Sequence, residues 1–214
     1  WKRVLVMALA AALLLGAVWW GSGRILPAMH GLSVTQEVRL PVLMYHGVHS
    51  DPKKSGDYVI TPQALEQDLL YLQQQGCTAV TMSDILAYVQ EGTPLPEKPV
   101  MLTFDDGYYN NYLNAYPLLQ KYNMKAVISI IVGETDKYSE REENKENYSH
   151  VTWDMINERT ASGLVEIQNH TYDLHKTGKP RRGAAQRKDE TTEQYFAAVG
   201  ADLQKAQDRI EEMT

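Results

Sequence analysis

The sequence is short of the residues on which several common site chemistries depend. Only one of its 214 residues is cysteine, Cys77, so an intrachain disulfide and a CxxC metal site are both excluded. Cys77 follows Gly76 at the start of an apolar run and reads as a buried, inert thiol. Positive charge is scarce too: 21 Lys and Arg against 27 Asp and Glu give a net charge of -6. Non-specific nucleic-acid binding needs basic surface to neutralise phosphates, so no nucleic-acid partner is expected. No G-x-S-x-G segment occurs, which removes the nucleophile-elbow signature of a serine hydrolase. Internal repeats and low-complexity tracts are also lacking. What is present is apolar: 43% of residues are hydrophobic and 9% aromatic, the composition of a folded chain. The length suits one sizeable domain with its own core.

Charge is absent from Val4 to Gly23, directly after Lys2 and Arg3. As a helix this stretch spans roughly 30 Å, about one bilayer core. Trp19 and Trp20 stand where indole rings favour the headgroup region. Residues 1–23 therefore predict a transmembrane anchor with its N-terminus in the cytoplasm and everything after Arg24 on the extracytoplasmic face. A cleaved signal peptide, giving a secreted protein, is the alternative, although no A-x-A cleavage site follows. The opening Trp in place of Met leads us to expect preceding residues. Residues 24–39 read as a linker and 40–214 as one α/β domain.

Within that domain apolar runs alternate with helical patterns. Pro41 to Tyr45 reads as a buried strand. Thr61 and Pro62 open a helix with Leu65, Leu69 and Leu72 on one face, closed by Gly76. Thr78 to Thr81 is a short strand, and Ser83 is the expected cap of a helix stopped by Gly92. Val100 to Phe104 is a strand, 109–122 a helix bent or interrupted at Pro117, and Lys125 to Val132 a strongly apolar strand. Gly133 to His150 reads as a polar surface loop, Thr152 to Ala161 as a helix and Leu164 to Gln168 as a strand. A basic loop, Lys176 to Asp189, precedes a long helix from Thr191 to Met213, with Phe196, Val199, Leu203 and Ile210 on one face. This alternation predicts parallel strands in an α/β barrel or open sheet. Five strands are too few to close a barrel, so the domain is expected to continue beyond Thr214.

In parallel α/β folds reactive groups gather at the carboxyl ends of the strands. His46 ends the first predicted strand, Asp105 and Asp106 end the third, and Asn169, His170 and His175 follow the fifth. Two histidines and a carboxylate at a wet sheet edge suit zinc or a similar divalent ion with coordination positions left open. Each piece alone has a structural alternative: Asp-Gly is a common turn dipeptide, and a lone histidine is more often hydrogen-bonded than catalytic. Their convergence on one edge is what carries the metal reading. Tyr108 after the aspartates is a candidate sugar-stacking residue, with core packing the competitor for Tyr109 and Tyr112. The basic loop is a candidate contact for an anionic glycan, or a solvated loop.

TFDDG at Thr103–Gly107, followed by NHTYDLH at Asn169–His175, resembles the polysaccharide deacetylase family, also called the NodB-homology domain or carbohydrate esterase family 4. The resemblance runs from about Pro41 to the last residue. It implies a deformed (β/α) barrel, a divalent metal and hydrolysis of acetyl groups on a cell-surface or biofilm polysaccharide. Residue by residue it implies Asp105 as general base and Asp106, His170 and His175 as metal ligands. Thr171 would help to fix the histidine loop. The histidine spacing, with LMYHGV at Leu43–Val48, looks like the poly-N-acetylglucosamine deacetylase subgroup, which implies His46 as general acid. Zn²⁺ is the first expectation for the metal; Co²⁺, Ni²⁺ and Fe²⁺ suit the same ligands. The family's arginine- and proline-containing motif and its later Asp/Trp motif do not occur here and are expected beyond Thr214. A non-catalytic carbohydrate-binding relative is the alternative function.

Overall fold

The computed structural model describes residues 38–141, 143–178 and 181–214. The anchor expected at 1–23 and nearly all of the linker expected at 24–39 lie outside the described residues. Among the described residues no helix is long and apolar enough to cross a membrane.

The domain is built on parallel strands: β1 (Val42–Tyr45), β4 (Thr78–Ala79), β5 (Pro99–Asp106), β6 (Ala126–Ile131) and β7 (Val165–Thr171). They form one sheet in the order β1-β5-β6-β7, with β4 paired to β5 at Pro99 and Val100. A separate two-residue pair, β2 (Gly47–Val48) with β3 (Val59–Ile60), follows β1. Strands form at the expected runs, but β1, expected to be buried, leaves Val42 and Met44 exposed at a sheet edge, β5 extends through both aspartates and β7 reaches past His170. The described residues thus form an open sheet with β1 and β7 at its edges.

Apolar side chains explain why the sheet assembles. Leu102, Phe104, Ala126 and Ile130 are completely buried. Helix α1 (Pro62–Gln74) starts on the Thr61 hydroxyl, which accepts the Ala64 N–H at 3.2 Å, with Pro62 in the first turn. Its Leu65, Leu69 and Leu72 are buried, each contributing about 1.5–3 kcal/mol relative to exposure. Helix α2 (Met82–Glu91) is capped by Thr81, not by Ser83 as expected: Thr81 and Asp84 close a reciprocal capping box, which satisfies two otherwise orphaned N–H groups. Residues 111–115 form one π-helical turn before helix α3 (Tyr116–Tyr122). The helical backbone runs on into α3, and the interruption expected at Pro117 takes the form of this widened turn just before it.

The segment 133–150 is not all loop. Helix α4 (Val132–Ser139) begins directly at the end of β6 and buries Val132, Thr135 and Tyr138. It has no side-chain cap, so the usual start signal is missing. Helix α5 (Trp153–Thr160) follows, capped by Thr152. Helix α6 (Thr192–Met213) starts at a Thr191–Gln194 capping box. Its expected apolar face is only partly covered: Ala206 and Ile210 are buried, but Phe196 is 67% exposed.

Candidate metal and catalytic site

At the carboxyl end of β5 the chain leaves the extended region abruptly. Asp106 and Gly107 both have φ of 71°. The left-handed region is tolerated by Asp better than by most side chains and is open to Gly. Only glycine fits at 107 for a second reason. A Cβ there would lie 2.8 Å from Ile130 Cγ2 and 3.3 Å from the Ile130 Cα. The segment 149–151 backs this turn: Tyr109 N–H donates to Ser149 O at 2.7 Å and Val151 N–H to Gly107 O at 2.9 Å. His150 Nδ1 lies 2.9 Å from Asp106 O, an acceptor, so this nitrogen carries the proton. Burial pushes the His150 pKa down, against the opposing pull of that hydrogen bond and of nearby carboxylates. The ring lies against Tyr108 at 5.0 Å and Tyr138 at 5.7 Å between centroids.

Two strands away, β7 is irregular where it matters. Ile130 pairs with Asn169 and Ile131 with Thr171, which leaves His170 as the extra residue of a β-bulge. Bulges re-aim a side chain out of the regular pleat. His175 comes from the loop beyond β7.

These irregular strand ends converge. Asp106 Oδ1 lies 3.4 Å from His170 Nε2 and 3.3 Å from His175 Nε2. All three ligand atoms fall within 4.8 Å of one another. The Asp106 side chain is only 3% exposed, yet its Oδ1 has no hydrogen-bond partner. Leaving such an atom unpaired costs about 1–3 kcal/mol or more. Ligands about 2.0–2.1 Å from a tetrahedral zinc lie about 3.3 Å from one another, close to the two spacings found. Both spacings are long for a hydrogen bond. The donor set fits a divalent cation.

The other expected residues fall on several elements. Asp105 is half-buried at the end of β5 and pairs with Ser129 in register. Tyr45 pairs with Phe104, so His46 follows its strand as Asp105 follows Phe104, at neighbouring strand ends. The His46 ring meets Tyr58 edge-on at 5.1 Å. Burial, then the Asp106 charge, push the Tyr108 phenol up to about 12; it remains protonated at neutral pH. Tyr112 is used structurally, under the Arg159 guanidinium and donating to Glu158. The Thr171 hydroxyl is buried without a hydrogen-bond partner. Among the described residues of the basic loop, Arg181 pairs with Glu190 and Arg187 with Asp189. Sequence reasoning gave His150 no role. Its contact is to a backbone carbonyl, which leaves no mark in the sequence.

The fold and site together define a parallel α/β protein with a carboxylate–imidazole cluster of metal-ligand spacing at its carboxyl edge. Residues 92–214 match the polysaccharide deacetylase family, and the chain belongs to that family. A poly-beta-1,6-N-acetyl-D-glucosamine N-deacetylase of Escherichia coli (strain K12) is 29% identical over 140 residues, covering 62% of this chain and 20% of that protein. One of Staphylococcus aureus (strain N315) is 29% identical over 143 residues, 67% of this chain and 47% of that one. The match thus spans half or less of these relatives' length. Among solved structures, a de-N-acetylase from Aggregatibacter actinomycetemcomitans superposes with a TM-score of 0.71 at 28% identity, covering 82% of this chain and 75% of that one. IcaB from Ammonifex degensii gives 0.66 at 29% identity, covering 83% and 70%.

Proposed function

We propose that the protein is a metal-dependent hydrolase that removes N-acetyl groups from an N-acetylglucosamine-containing polysaccharide. The observation that carries this reading is the unpaired Asp106 Oδ1 set 3.3–3.4 Å from two imidazole nitrogens, with Asp105 one residue earlier on the same strand. Asp106, His170 and His175 would hold the cation, Zn²⁺ first, with Co²⁺, Ni²⁺ or Fe²⁺ as alternatives. When bound, such an ion polarises the acetyl carbonyl and brings the pKa of a water down from 15.7 towards roughly 7.

Asp105 is the base in this reading: its carboxylate takes the proton as the water oxygen bonds to the acetyl carbon. His46 supplies a proton to the nitrogen as the C–N bond breaks, so that acetate and a free amine leave. Tyr108, protonated and partly exposed beside Asp106, offers a ring face to a sugar. The named activity of the E. coli and S. aureus relatives supports a β-1,6-linked N-acetylglucosamine polymer as substrate. An extracytoplasmic site of action, with residues 1–23 as the membrane tether, belongs to the same proposal and rests on the charge and hydropathy pattern.

The test is acetate release from β-1,6-linked N-acetylglucosamine oligomers by the full chain. Release is expected to stop with a chelator and return when Zn²⁺ is restored. Turnover undiminished by chelation or by Asp106→Ala would refute the metal-dependent reading. Oligomer binding without acetate release in the metal-loaded protein would favour a carbohydrate-binding relative instead.

A further inference from the structure

The two histidine ligands are separated by Thr171 to Leu174, and the structure holds this connection at nearly every polar group of Tyr172. The Tyr172 carbonyl accepts the Gly133 N–H at 2.9 Å. The Tyr172 hydroxyl donates to Asp136 Oδ2 at 3.2 Å. Lys205 Nζ sits 3.5 Å from the centre of its ring. The backbone N–H groups of Tyr172 and Asp173 go to a single side chain. Asp202 Oδ1 accepts the first at 2.8 Å and Oδ2 the second at 2.9 Å. The neighbouring residue of α6 contributes as well, since Asn169 Nδ2 donates to Leu203 O at 2.8 Å. Helix α6 therefore grips the chain just before His170 and again between His170 and His175.

We infer that Asp202 is a positioning residue for the metal site, fixing the backbone between His170 and His175 in its ligating shape before any cation arrives. This rests on the metal-site reading above. The chemistry requires an ionised carboxylate. Two successive N–H groups point the same way and need two acceptors in one plane, bonds that are stronger to a charged oxygen. An amide provides one acceptor and turns an NH₂ towards the second N–H. A free loop would have to be ordered at the moment of binding, at an entropic cost; order already in place appears as metal affinity. Gly133 holds the opposite side of the same peptide, and a Cβ at Gly133 would lie 2.6 Å from Tyr172 O, so the loop is confined from both faces.

The experiment uses the full chain as wild type, Asp202→Asn, Asp202→Glu, Gln204→Ala and Asp106→Ala. Zn²⁺ affinity is measured by competition with a chromophoric chelator, alongside the melting temperature of each metal-free protein. Asp202→Asn should weaken Zn²⁺ binding roughly 10-fold or more, the range typical of groups that orient metal ligands. Asp202→Glu, with both acceptors on a longer arm, should recover part of it. Gln204→Ala, on the same helix with its side chain donating to Asp208, should match wild type. Zn²⁺ affinity unchanged in Asp202→Asn, while Asp106→Ala abolishes binding, overturns the inference and leaves the site standing. Undiminished binding in Asp106→Ala overturns the site itself. Amide exchange in metal-free wild type gives a check independent of any variant: the Tyr172 and Asp173 N–H groups should be protected, and fast exchange at both would refute the inference.

Discussion

Gly107→Ala probes whether the turn that presents Asp106 is as constrained as its geometry indicates. Two costs add. The position has φ of 71°, and a left-handed conformation costs a residue with a Cβ about 1–2 kcal/mol. The new methyl would also lie 2.8 Å from Ile130 Cγ2, 3.2 Å from its Cβ and 3.3 Å from its Cα. The last of these is backbone in the centre of a parallel sheet and yields little; overpacking of this kind costs about 1–3 kcal/mol. The expected loss is about 2–5 kcal/mol. At an m-value of about 2 kcal/mol/M, the urea midpoint of the metal-free protein falls by about 1–2.5 M with m unchanged. Zn²⁺ affinity should fall with it, because a shifted turn carries the Asp106 carboxylate away from the two imidazoles. Pairing the change with Ile130→Ala separates part of the steric term: the 2.8 Å clash with Cγ2 should vanish in that background, while the contacts with the residue-130 Cβ and Cα and the left-handed cost remain. A midpoint change under about 0.5 M with Zn²⁺ affinity intact would show that the turn relaxes freely, and the account of Asp106 placement would fail.

Three further outcomes follow from the proposed roles and from the charge pairs. Asp105→Asn should lower turnover by about 10²–10⁴, the usual worth of a general base, with Zn²⁺ affinity close to wild type; a parallel loss of affinity would make Asp105 a ligand. His46→Gln should slow hydrolysis of the amide yet spare an activated aryl acetate, whose leaving group needs no proton; equal losses on both would remove His46 from the acid role. Glu146 provides a pH test. Burial alone would raise its pKa, but hydrogen bonds from the Ser50 N–H, the Asn114 amide and the Ser50 hydroxyl, with His49 nearby, hold it below 4.5. A depressed carboxylate contributes stability that is present above its unfolded value and lost as pH falls through the folded one. The stability difference between wild type and Glu146→Gln should therefore be full at pH 7 and shrink as pH falls through the depressed folded value. A difference that persists undiminished to pH 3 would refute the assignment.

The parts of this fold that were legible in the sequence are those written in side chains. Leu65, Leu69 and Leu72 at helical spacing announce α1 because burial acts on side chains. Asp106, His170 and His175 announce a candidate metal site because their donor atoms are themselves side-chain groups. The cap at Thr81 was legible too, since Thr81 and Asp84 have capping-box spacing, but the adjacent Ser83 offered a competing hydroxyl. Other features were hidden because backbone geometry makes them. Helix α4 starts straight from β6 with no cap residue, and the polar run after it masks Val132, Thr135 and Tyr138. His150 meets the site through the carbonyl of Asp106, forty-four positions away. Asp202 holds two backbone N–H groups across a separation of about thirty residues. Neither partner leaves a pattern that a linear reading can find.

The deepest of these hidden features is why Asp106 and His170 meet at all. In register Asp106 pairs with Ile130 and Ile130 with Asn169. A regular sheet would therefore set Asn169, not His170, in line with the aspartate. Strands β5 and β7 are two steps apart, about 9.5 Å at the usual strand spacing, too far for ligand atoms held upright on the pleat to come within 3.4 Å. Two departures from regularity close that gap. The left-handed backbone at Asp106 swings its carboxylate off the end of β5, and the bulge frees His170 from the pleat of β7. Each is locally unfavourable, and each is held by neighbours: Gly107 and the 149–151 segment for the first, Asn169 bonded to Leu203 for the second. The site thus exists where the sheet stops being ideal, so variants that restore regularity should damage function more than those that only loosen the core.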